Sequence, residues 1–259
     1  MWPNTKKEKT AWLNTALGKN HRAAKNGRQM SKFIKIGHRG AMGYEPENTL
    51  RSFDKAIELG VDMIELDIHL CKTGETVVIH DESVDRTTNG QGLVGNMELG
   101  ELKLLDAGKG ERIPVLEEVL SLVNKRAAVN IELKGRETAQ PAADIIRQHV
   151  SNGWNPELFI VSSFDWDELR EFRRCAFGNR IGVLFNNNYD DLFDFAGEVA
   201  AYSIHVPQEK ASEDLISDIK RRGFKVFVWT VNEKEDIEKI QKLGADGAFS
   251  NFPDRLATR

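Results

Sequence analysis

The chain has 259 residues, of which 40% are hydrophobic, 29% charged and 8% aromatic, and its formal net charge is −4. This composition excludes a collagen-like, low-complexity or wholly disordered protein. A membrane-spanning helix needs roughly 18–20 apolar residues in a row, and the sequence has no such run. Two cysteines cannot build a disulfide framework at this length. We therefore expect a soluble, cytoplasmic protein with a sizeable core.

The first 30 residues differ in charge from the rest of the chain. They carry seven lysines and arginines and one glutamate, a net charge of +6, so the remainder is net −10. They lack the apolar run of a secretory signal, and Met30 offers an alternative start. We expect residues 1–30 to be a disordered basic extension and residues 31–259 to form the folded domain. A transit-like peptide and an arm for anionic surfaces stay open. The acidic body argues against nucleic acid as a partner, because duplex binding depends on a dense basic face.

From residue 33 onward, short apolar runs alternate with longer amphipathic ones. The predicted strands are Phe33–Gly37, Met63–Leu70, Thr76–His80, Ala128–Leu133, Leu158–Ser162, Arg180–Phe185, Tyr202–Val206, Lys225–Thr230 and Gly247–Ser250. The predicted helices are Leu50–Leu59, Leu116–Asn124, Thr138–His149, Trp166–Arg174, Ser212–Arg222 and Lys234–Leu243. Repeated strand–helix units are typical of a (β/α)8 barrel or a doubly wound sheet. No glycine-rich nucleotide fingerprint follows the first strand, which favours the barrel.

The pattern contains one strand too many for such a barrel. Only Cys71–Glu75 separates the second predicted strand from the third, and parallel neighbours need a crossover of a dozen or more residues. The third strand should therefore run antiparallel to the second, leaving eight strands to close the α/β (β/α)8 TIM barrel. Residues 82–114 are glycine-rich without a sustained period. Long loops inside compact domains are usually functional or disordered, so we expect a small cap inserted after the second barrel strand.

Acidic side chains alternate with apolar ones on two of the barrel strands. Glu65 and Asp67 on the second strand, and Glu132 on the strand of residues 128–133, should point into the barrel because their neighbours face the helices. Active sites of this fold lie at the carboxyl ends of the strands. Three carboxylates meeting there have raised pKa values unless a cation joins them, and all-oxygen ligands suit Mg²⁺ or Ca²⁺. Buried ion pairs with Lys134 are the alternative, but they leave excess negative charge in the barrel.

Basic and imidazole side chains are predicted at the same mouth. His38 and Arg39 end the first strand, and the antiparallel hairpin brings His80 back beside Asp67. Imidazoles move protons near neutral pH, and guanidinium groups hold phosphate through two hydrogen bonds. Two histidines, two cations and a metal site together predict a centre that cleaves phosphodiesters.

Eight short motifs in this order resemble those of the glycerophosphodiester phosphodiesterases, from about Phe33 to Asp254. They are His38-Arg-Gly40, Pro46-Glu-Asn-Thr49, Glu65-Leu-Asp67, Val78-Ile-His-Asp81, Glu132-Leu-Lys134, Ser162-Ser-Phe164, Trp229-Thr-Val-Asn232, and Asp246-Gly247 with Asn251-Phe-Pro253. The resemblance implies a barrel with a small insertion. It also implies one divalent cation, Mg²⁺ or Ca²⁺, held by Glu65, Asp67 and Glu132.

The resemblance also implies roles for five further residues. His38 and His80 would act as general acid and base, Arg39 and Lys134 would contact phosphate, and Trp229 would lie against the glycerol side of the substrate. The implied reaction converts a small-molecule glycerophosphodiester into sn-glycerol 3-phosphate and an alcohol, by a route through a cyclic phosphate. A lysophospholipase D-like activity and a non-catalytic phosphodiester-binding module stay open. The oligomeric state is not indicated by the sequence.

Five nearby residues have plainer interpretations. Asn48 and Thr49 precede a helical pattern and are expected to cap it. Glu47 could equally cap this helix or assist the metal site. We expect His69 at the surface or behind the metal ligands, and His205 either in a structural role or against substrate.

Overall fold

The structure is a computed structural model that describes residues 32–185 and 191–257. The predicted basic extension, residues 1–30, lies outside the described residues. Within them, no helix combines the length and apolar character needed to cross a membrane.

The strands form a closed barrel with one additional strand at its rim. In the described part of the chain they are β1 (Ile34–Gly37), β2 (Met63–Leu70), β3 (Thr76–Val78), β4 (Ala128–Leu133), β5 (Phe159–Ser163), β6 (Arg180–Leu184), β7 (Ser203–Pro207), β8 (Lys225–Trp229) and β9 (Gly247–Ser250). Strand β1 pairs with both β2 and β9, and every barrel neighbour is parallel. Strand β3 pairs antiparallel with β2 and stays outside the closed ring of parallel strands. The predicted (β/α)8 barrel and the antiparallel hairpin are both confirmed.

Helices connect most of the barrel strands. They are α1 (Leu50–Glu58), α2 (Leu99–Leu102), α3 (Leu116–Val123), α4 (Ala139–Ser151), α5 (Trp166–Cys175), α6 (Leu192–Glu198), α7 (Glu213–Arg221) and α8 (Lys234–Lys242), with short 3₁₀ turns at Val94–Asn96, Pro156–Leu158, Gln208–Lys210 and Pro253–Leu256. Side-chain caps start several of them. The side-chain oxygens of Thr49, Asp165 and Ser212 accept hydrogen bonds from backbone N–H groups in the first turns of α1, α5 and α7, which satisfies donors that a helix leaves unpaired.

The main core lies between the barrel and its helices. Alternate residues of β2 and β4, such as Ile64, Leu66 and Ile131, are fully buried there against apolar side chains of the helices. A separate apolar cluster inside the barrel contains Met63 and Phe227, among others. Because Met63 precedes Glu65 by two residues on the same strand, this cluster lies below the acidic side chains. The site therefore sits on an apolar floor that excludes water.

Residues 82–114 have a small core of their own. Val84, Val94, Leu102 and Ile113 are almost completely buried and pack with Val77 of β3. The insertion also contains α2, which the sequence pattern did not predict because four residues are too few to show a helical period.

Candidate active site

Three carboxylates meet at the mouth of the barrel. Glu65 and Asp67 lie on β2, and Glu132 lies on β4 directly across the ladder from Asp67. Their side chains are buried, and one oxygen from each lies within 4.8 Å of the other two. The inward direction predicted from alternation is therefore what the structure has.

The electrostatics of this trio favour the binding of a cation. Burial, and then repulsion by Asp67 and Glu132, raises the pKa of Glu65 well above its ordinary value. Burial and the charge of Asp67 raise the pKa of Glu132 to about 7. Ionising all three carboxyl groups is unfavourable unless a cation lies among them. The donor set consists only of oxygen, which fits Mg²⁺ or Ca²⁺ and not a soft metal.

The loop after β1 places Arg39 beside the carboxylates. Its backbone N–H donates to Glu65 Oε2 (2.7 Å), its Nη1 donates to Glu47 Oε1 (2.8 Å), and its Nε lies 3.5 Å from Asp67 Oδ2. Arg39 and Gly40 both have positive φ angles, 49° and 82°. A Cβ on Gly40 would lie 2.7 Å from the carbonyl oxygen of Ser52. Glycine is therefore required for this turn.

His38 is held by an amide at the opposite end of the chain. Its Nδ1 lies 2.7 Å from Asn251 Oδ1. Burial and the charge of Arg39 lower the pKa of His38 to about 4, so the ring is neutral at pH 7. Asn251 had no predicted role, although it stood in a motif used for the resemblance.

His80 follows β3 and has a carboxylate partner. Its Nδ1 lies 2.6 Å from Asp81 Oδ1. The backbone N–H of Ile79 donates to the carbonyl oxygen of Asp67 (3.0 Å), so the hairpin brings His80 beside the acidic trio as predicted. The predicted strand is two residues too long, because the ladder ends at Val78 and the chain then turns into the site.

Lys134 and Trp229 complete the polar and apolar walls. Lys134 Nζ lies 3.1 Å from Glu132 Oε1 and 5.6 Å from the centroid of the Phe164 ring. The rings of Phe164 and Trp229 meet edge to face at 5.5 Å, and Trp229 Nε1 donates to the carbonyl oxygen of His205 (3.2 Å). All eight residues predicted for the site line a single pocket at the mouth of the barrel.

Four residues with plainer interpretations can now be placed. Thr49 caps α1 as predicted, but Asn48 does not: its Nδ2 donates to Asp67 Oδ2 (2.9 Å), which holds a member of the trio in place. Glu47 contacts Arg39 and not the trio. The surface alternative for His69 is wrong, because the ring is buried with Nε2 3.0 Å from the carbonyl oxygen of His80.

His205 is a buried residue in the wall of the pocket, and its contact with substrate stays a prediction. The ring is 1% exposed and lines the pocket, and its Nε2 lies 2.9 Å from Ser203 Oγ. Burial lowers the pKa of His205 to about 3. It is therefore a neutral histidine in the wall of the site at physiological pH.

A TIM barrel with paired histidines and buried acids at its carboxyl end is the architecture of an enzyme that hydrolyses phosphodiesters. The chain belongs to the glycerophosphoryl diester phosphodiesterase family, whose model matches residues 38–255. It is 41% identical over 234 residues to a glycerophosphodiester phosphodiesterase of Caldanaerobacter subterraneus subsp. tengcongensis, covering 87% of this chain and 96% of that protein.

More distant relatives widen the comparison. The solved structure of an Oleispira antarctica phosphodiesterase in complex with the product sn-glycerol-3-phosphate has a TM-score of 0.79 and 29% identity, covering 85% of this chain and 94% of that one. A human lysophospholipase D is 25% identical over 275 residues, covering 88% of this chain and 87% of that protein.

Proposed function

We propose that this chain hydrolyses glycerophosphodiesters to sn-glycerol 3-phosphate and an alcohol. The observation that carries the proposal is the convergence of three buried carboxylates, two histidines and two cationic side chains in one pocket. Family membership and the product complex of the Oleispira relative support the same substrate class.

Glu65, Asp67 and Glu132 would hold one divalent cation, either Mg²⁺ or Ca²⁺. When bound, such an ion would polarise the phosphoryl oxygens and offset the negative charge that builds up as the bond breaks. Asn48 would keep the carboxylate of Asp67 oriented through its amide N–H. Arg39 and Lys134, which border the trio, would bind the phosphate oxygens.

The two histidines would carry the protons. One imidazole takes the proton of the substrate hydroxyl next to the esterified carbon, and that oxygen forms a bond to phosphorus. The bond from phosphorus to the alcohol breaks, and the other imidazole protonates the alcohol oxygen. Water then opens the cyclic phosphate with the proton transfers reversed. His38 is suited to take the first proton because it is neutral at pH 7, and Asp81 can stabilise an imidazolium at His80.

A substrate lacking the neighbouring hydroxyl tests this route. A 2-deoxy analogue of a glycerophosphodiester should bind with similar affinity, because its contacts with phosphate remain, yet turn over much more slowly. A normal rate would mean that water attacks phosphorus directly, and the cyclic intermediate would be abandoned.

A lysophospholipase D-like activity is the second candidate. The human relative of that name supports it, as do the exposed Leu93 and Leu104 on the inserted segment, which are 51% and 77% exposed. Comparing kcat/KM for glycerophosphocholine and lysophosphatidylcholine separates the two activities. We expect the water-soluble diester to be preferred. Tight binding of both without turnover would instead favour a non-catalytic phosphodiester-binding module.

A further inference from the structure

Arg86, in the inserted segment, bridges two carboxylates at the edge of the site. Its Nε and Nη2 donate to Asp81 Oδ2 (2.6 Å) and Oδ1 (3.0 Å). Its Nη1 and Nη2 donate to Glu47 Oε2 and Oε1, both at 2.8 Å. Every nitrogen of the guanidinium group therefore serves a carboxylate, and each carboxylate receives a bidentate contact.

Each of these carboxylates also holds a residue proposed to act on the substrate. Asp81 Oδ1 lies 2.6 Å from Nδ1 of His80, and Glu47 Oε1 accepts from Nη1 of Arg39 at 2.8 Å. Arg86 is thus one residue removed from a proton carrier on one side and from a phosphate ligand on the other. The hydrogen bonds from Arg86 also hold the pKa of Asp81 well below its usual range, which keeps that carboxylate ionised.

The fold fixes where Arg86 stands. Two residues before it, Val84 is fully buried in the small core of the insertion. The backbone around it is pinned by Val84 N–H to the carbonyl oxygen of Gly92 (3.0 Å), and by Gly92 N–H to Asp85 Oδ1 (2.8 Å). The guanidinium group is consequently presented by an ordered segment.

A purely structural role accounts poorly for this geometry. The side chain of Arg86 is 48% exposed, and exposed ion pairs contribute little to folding stability because water screens them. A direct contact with phosphate is also disfavoured, because four of the five N–H donors of Arg86 already bind carboxylates. What the arrangement does supply is orientation: two carboxylates held rigidly, each turned toward one functional side chain.

We propose that Arg86 is a positioning residue that orients His80 through Asp81 and Arg39 through Glu47. This inference rests on the proposed phosphodiesterase activity. Through Asp81 it holds the imidazole of His80 with the Nδ1–H directed at that carboxylate, so that Nε2 faces the substrate. Through Glu47, which accepts hydrogen bonds from both arginines, it shares the negative charge that holds Arg39. The guanidinium group of Arg39 can then turn toward phosphate. The inserted segment thereby takes part in organising the catalytic mouth.

The kinetic test replaces Arg86 and compares the result with a matched control. Arg86→Gln should lower kcat roughly 10–100-fold, the usual worth of such an orienting partner, and should also raise KM through Arg39. Arg86→Lys keeps the positive charge but loses the planar guanidinium group that makes bidentate contacts. Its kcat should lie between those of Arg86→Gln and the wild type. Arg112→Gln is the control: Arg112 lies in the same segment, and its Nη1 donates to the carbonyl oxygen of Leu104. Its kinetics should match the wild type.

A double-variant cycle separates the effect of Arg86 on His80 from its effect on Arg39. Asp81→Asn should lower kcat with little change in KM, and adding it to Arg86→Gln should lower kcat little further, because both changes disturb His80. Guanidinium ion added to Arg86→Ala should restore part of kcat, whereas methylammonium should not. Three results would each overturn the proposal. The first is a double variant whose loss of kcat is the product of the two single losses, and the second is no restoration of kcat by guanidinium. The third is an Arg86→Gln variant whose kcat and KM lie within twofold of those of Arg112→Gln.

A second readout does not depend on turnover. Nitrogen-15 NMR of the His80 ring, assigned with His80→Gln, reports which nitrogen carries the proton at alkaline pH. The wild type should be mainly protonated at Nδ1, and this population should fall in Arg86→Gln. An unchanged tautomer in that variant contradicts the inference even if the chain hydrolyses another diester. If the expected tautomer shift occurs without any glycerophosphodiester turnover, the proposed function fails while the positioning role stands.

Discussion

At the scale of single residues, the acidic trio is the strongest departure from ordinary packing. Carboxylates are seldom fully buried unless they are paired, yet Glu65 and Asp67 are 2% and 1% exposed beside Glu132. Arg39 and Lys134 offset part of the charge. Burial and mutual repulsion still raise the pKa values of Glu65 and Glu132, so a cation bound among the three carboxylates would relieve that repulsion.

Glu65→Gln tests the cation site directly. Removing one of three anionic ligands should weaken Mg²⁺ or Ca²⁺ binding at least tenfold, measured by titration calorimetry with the metal alone. The free energy of unfolding in chelator should not fall, because the substitution also removes repulsion within the trio. Glu58→Gln, on the exposed side of α1, is the matched control and should leave cation binding unchanged. Equal affinity in wild type and Glu65→Gln would remove Glu65 from the proposed ligand set.

His205 allows a prediction about pH and stability. Its pKa is about 3 in the folded protein, against about 6.5 in an unfolded chain. Below pH 6.5 the His205 ring is protonated in the unfolded state but stays neutral in the folded state. The free energy of unfolding therefore decreases as pH falls. The loss from this residue is about 1.4 kcal/mol per pH unit, or about 2 kcal/mol by pH 5. Urea unfolding of the wild type and His205→Asn at several pH values should show a shallower dependence in the variant, and parallel curves would contradict the assignment.

At the scale of elements, alternation and loop length predicted the barrel well. Strands β2, β4 and β9 begin and end at the predicted residues, because each is a clear apolar or alternating run between turns. Helix α6 (Leu192–Glu198) was missed, since two turns of helix show little periodicity. Side-chain direction along a strand was also predictable. The side chains that loops bring into contact with strand residues could not be predicted in this way. Asn251, for example, contacts His38 although 213 positions separate them in the sequence.

Asn48 and His69 were placed differently from the prediction for the same reason, a contact with another segment of the chain. Asn48 lies at a plausible capping position, yet a positive φ of 57° turns its side chain toward Asp67. His69 continues the inward face of β2, and the hairpin then buries it under the carbonyl oxygen of His80. Local pattern cannot show such contacts, because they depend on where a second segment crosses.

The inserted segment offers a prediction at the same scale. Residues 82–114 border the mouth and contribute Arg86 to its edge, so we expect them to influence which alcohol headgroup is preferred. Replacing residues 95–110, which leaves Arg86 and its backbone support at Gly92 in place, with the equivalent loop of a relative of different selectivity should change the ratio of kcat/KM between glycerophosphocholine and glycerophosphoinositol. Cation affinity should stay the same. An unchanged ratio would assign selectivity to the barrel loops instead.

At the scale of the whole molecule, two kinds of interior are stacked along one barrel. An apolar cluster that includes Ile36, Met63 and Phe227 forms the floor, and the charged trio lies above it. The floor keeps water out and so strengthens every electrostatic interaction at the mouth. Because little water is present, ionising all three carboxyl groups is unfavourable without a cation. The apolar floor of the barrel and the proposed cation dependence therefore have one physical origin.

The most direct test is to follow formation of sn-glycerol 3-phosphate from glycerophosphoethanolamine by purified protein. We expect turnover with Mg²⁺ or Ca²⁺, its loss in excess EDTA, and its return when the effective cation is added back. His80→Ala should cut kcat roughly 10²–10⁴-fold under the same conditions, the usual worth of a positioned acid or base. Full activity in EDTA would contradict the cation site, and no sn-glycerol 3-phosphate under any of these conditions would contradict the proposed function.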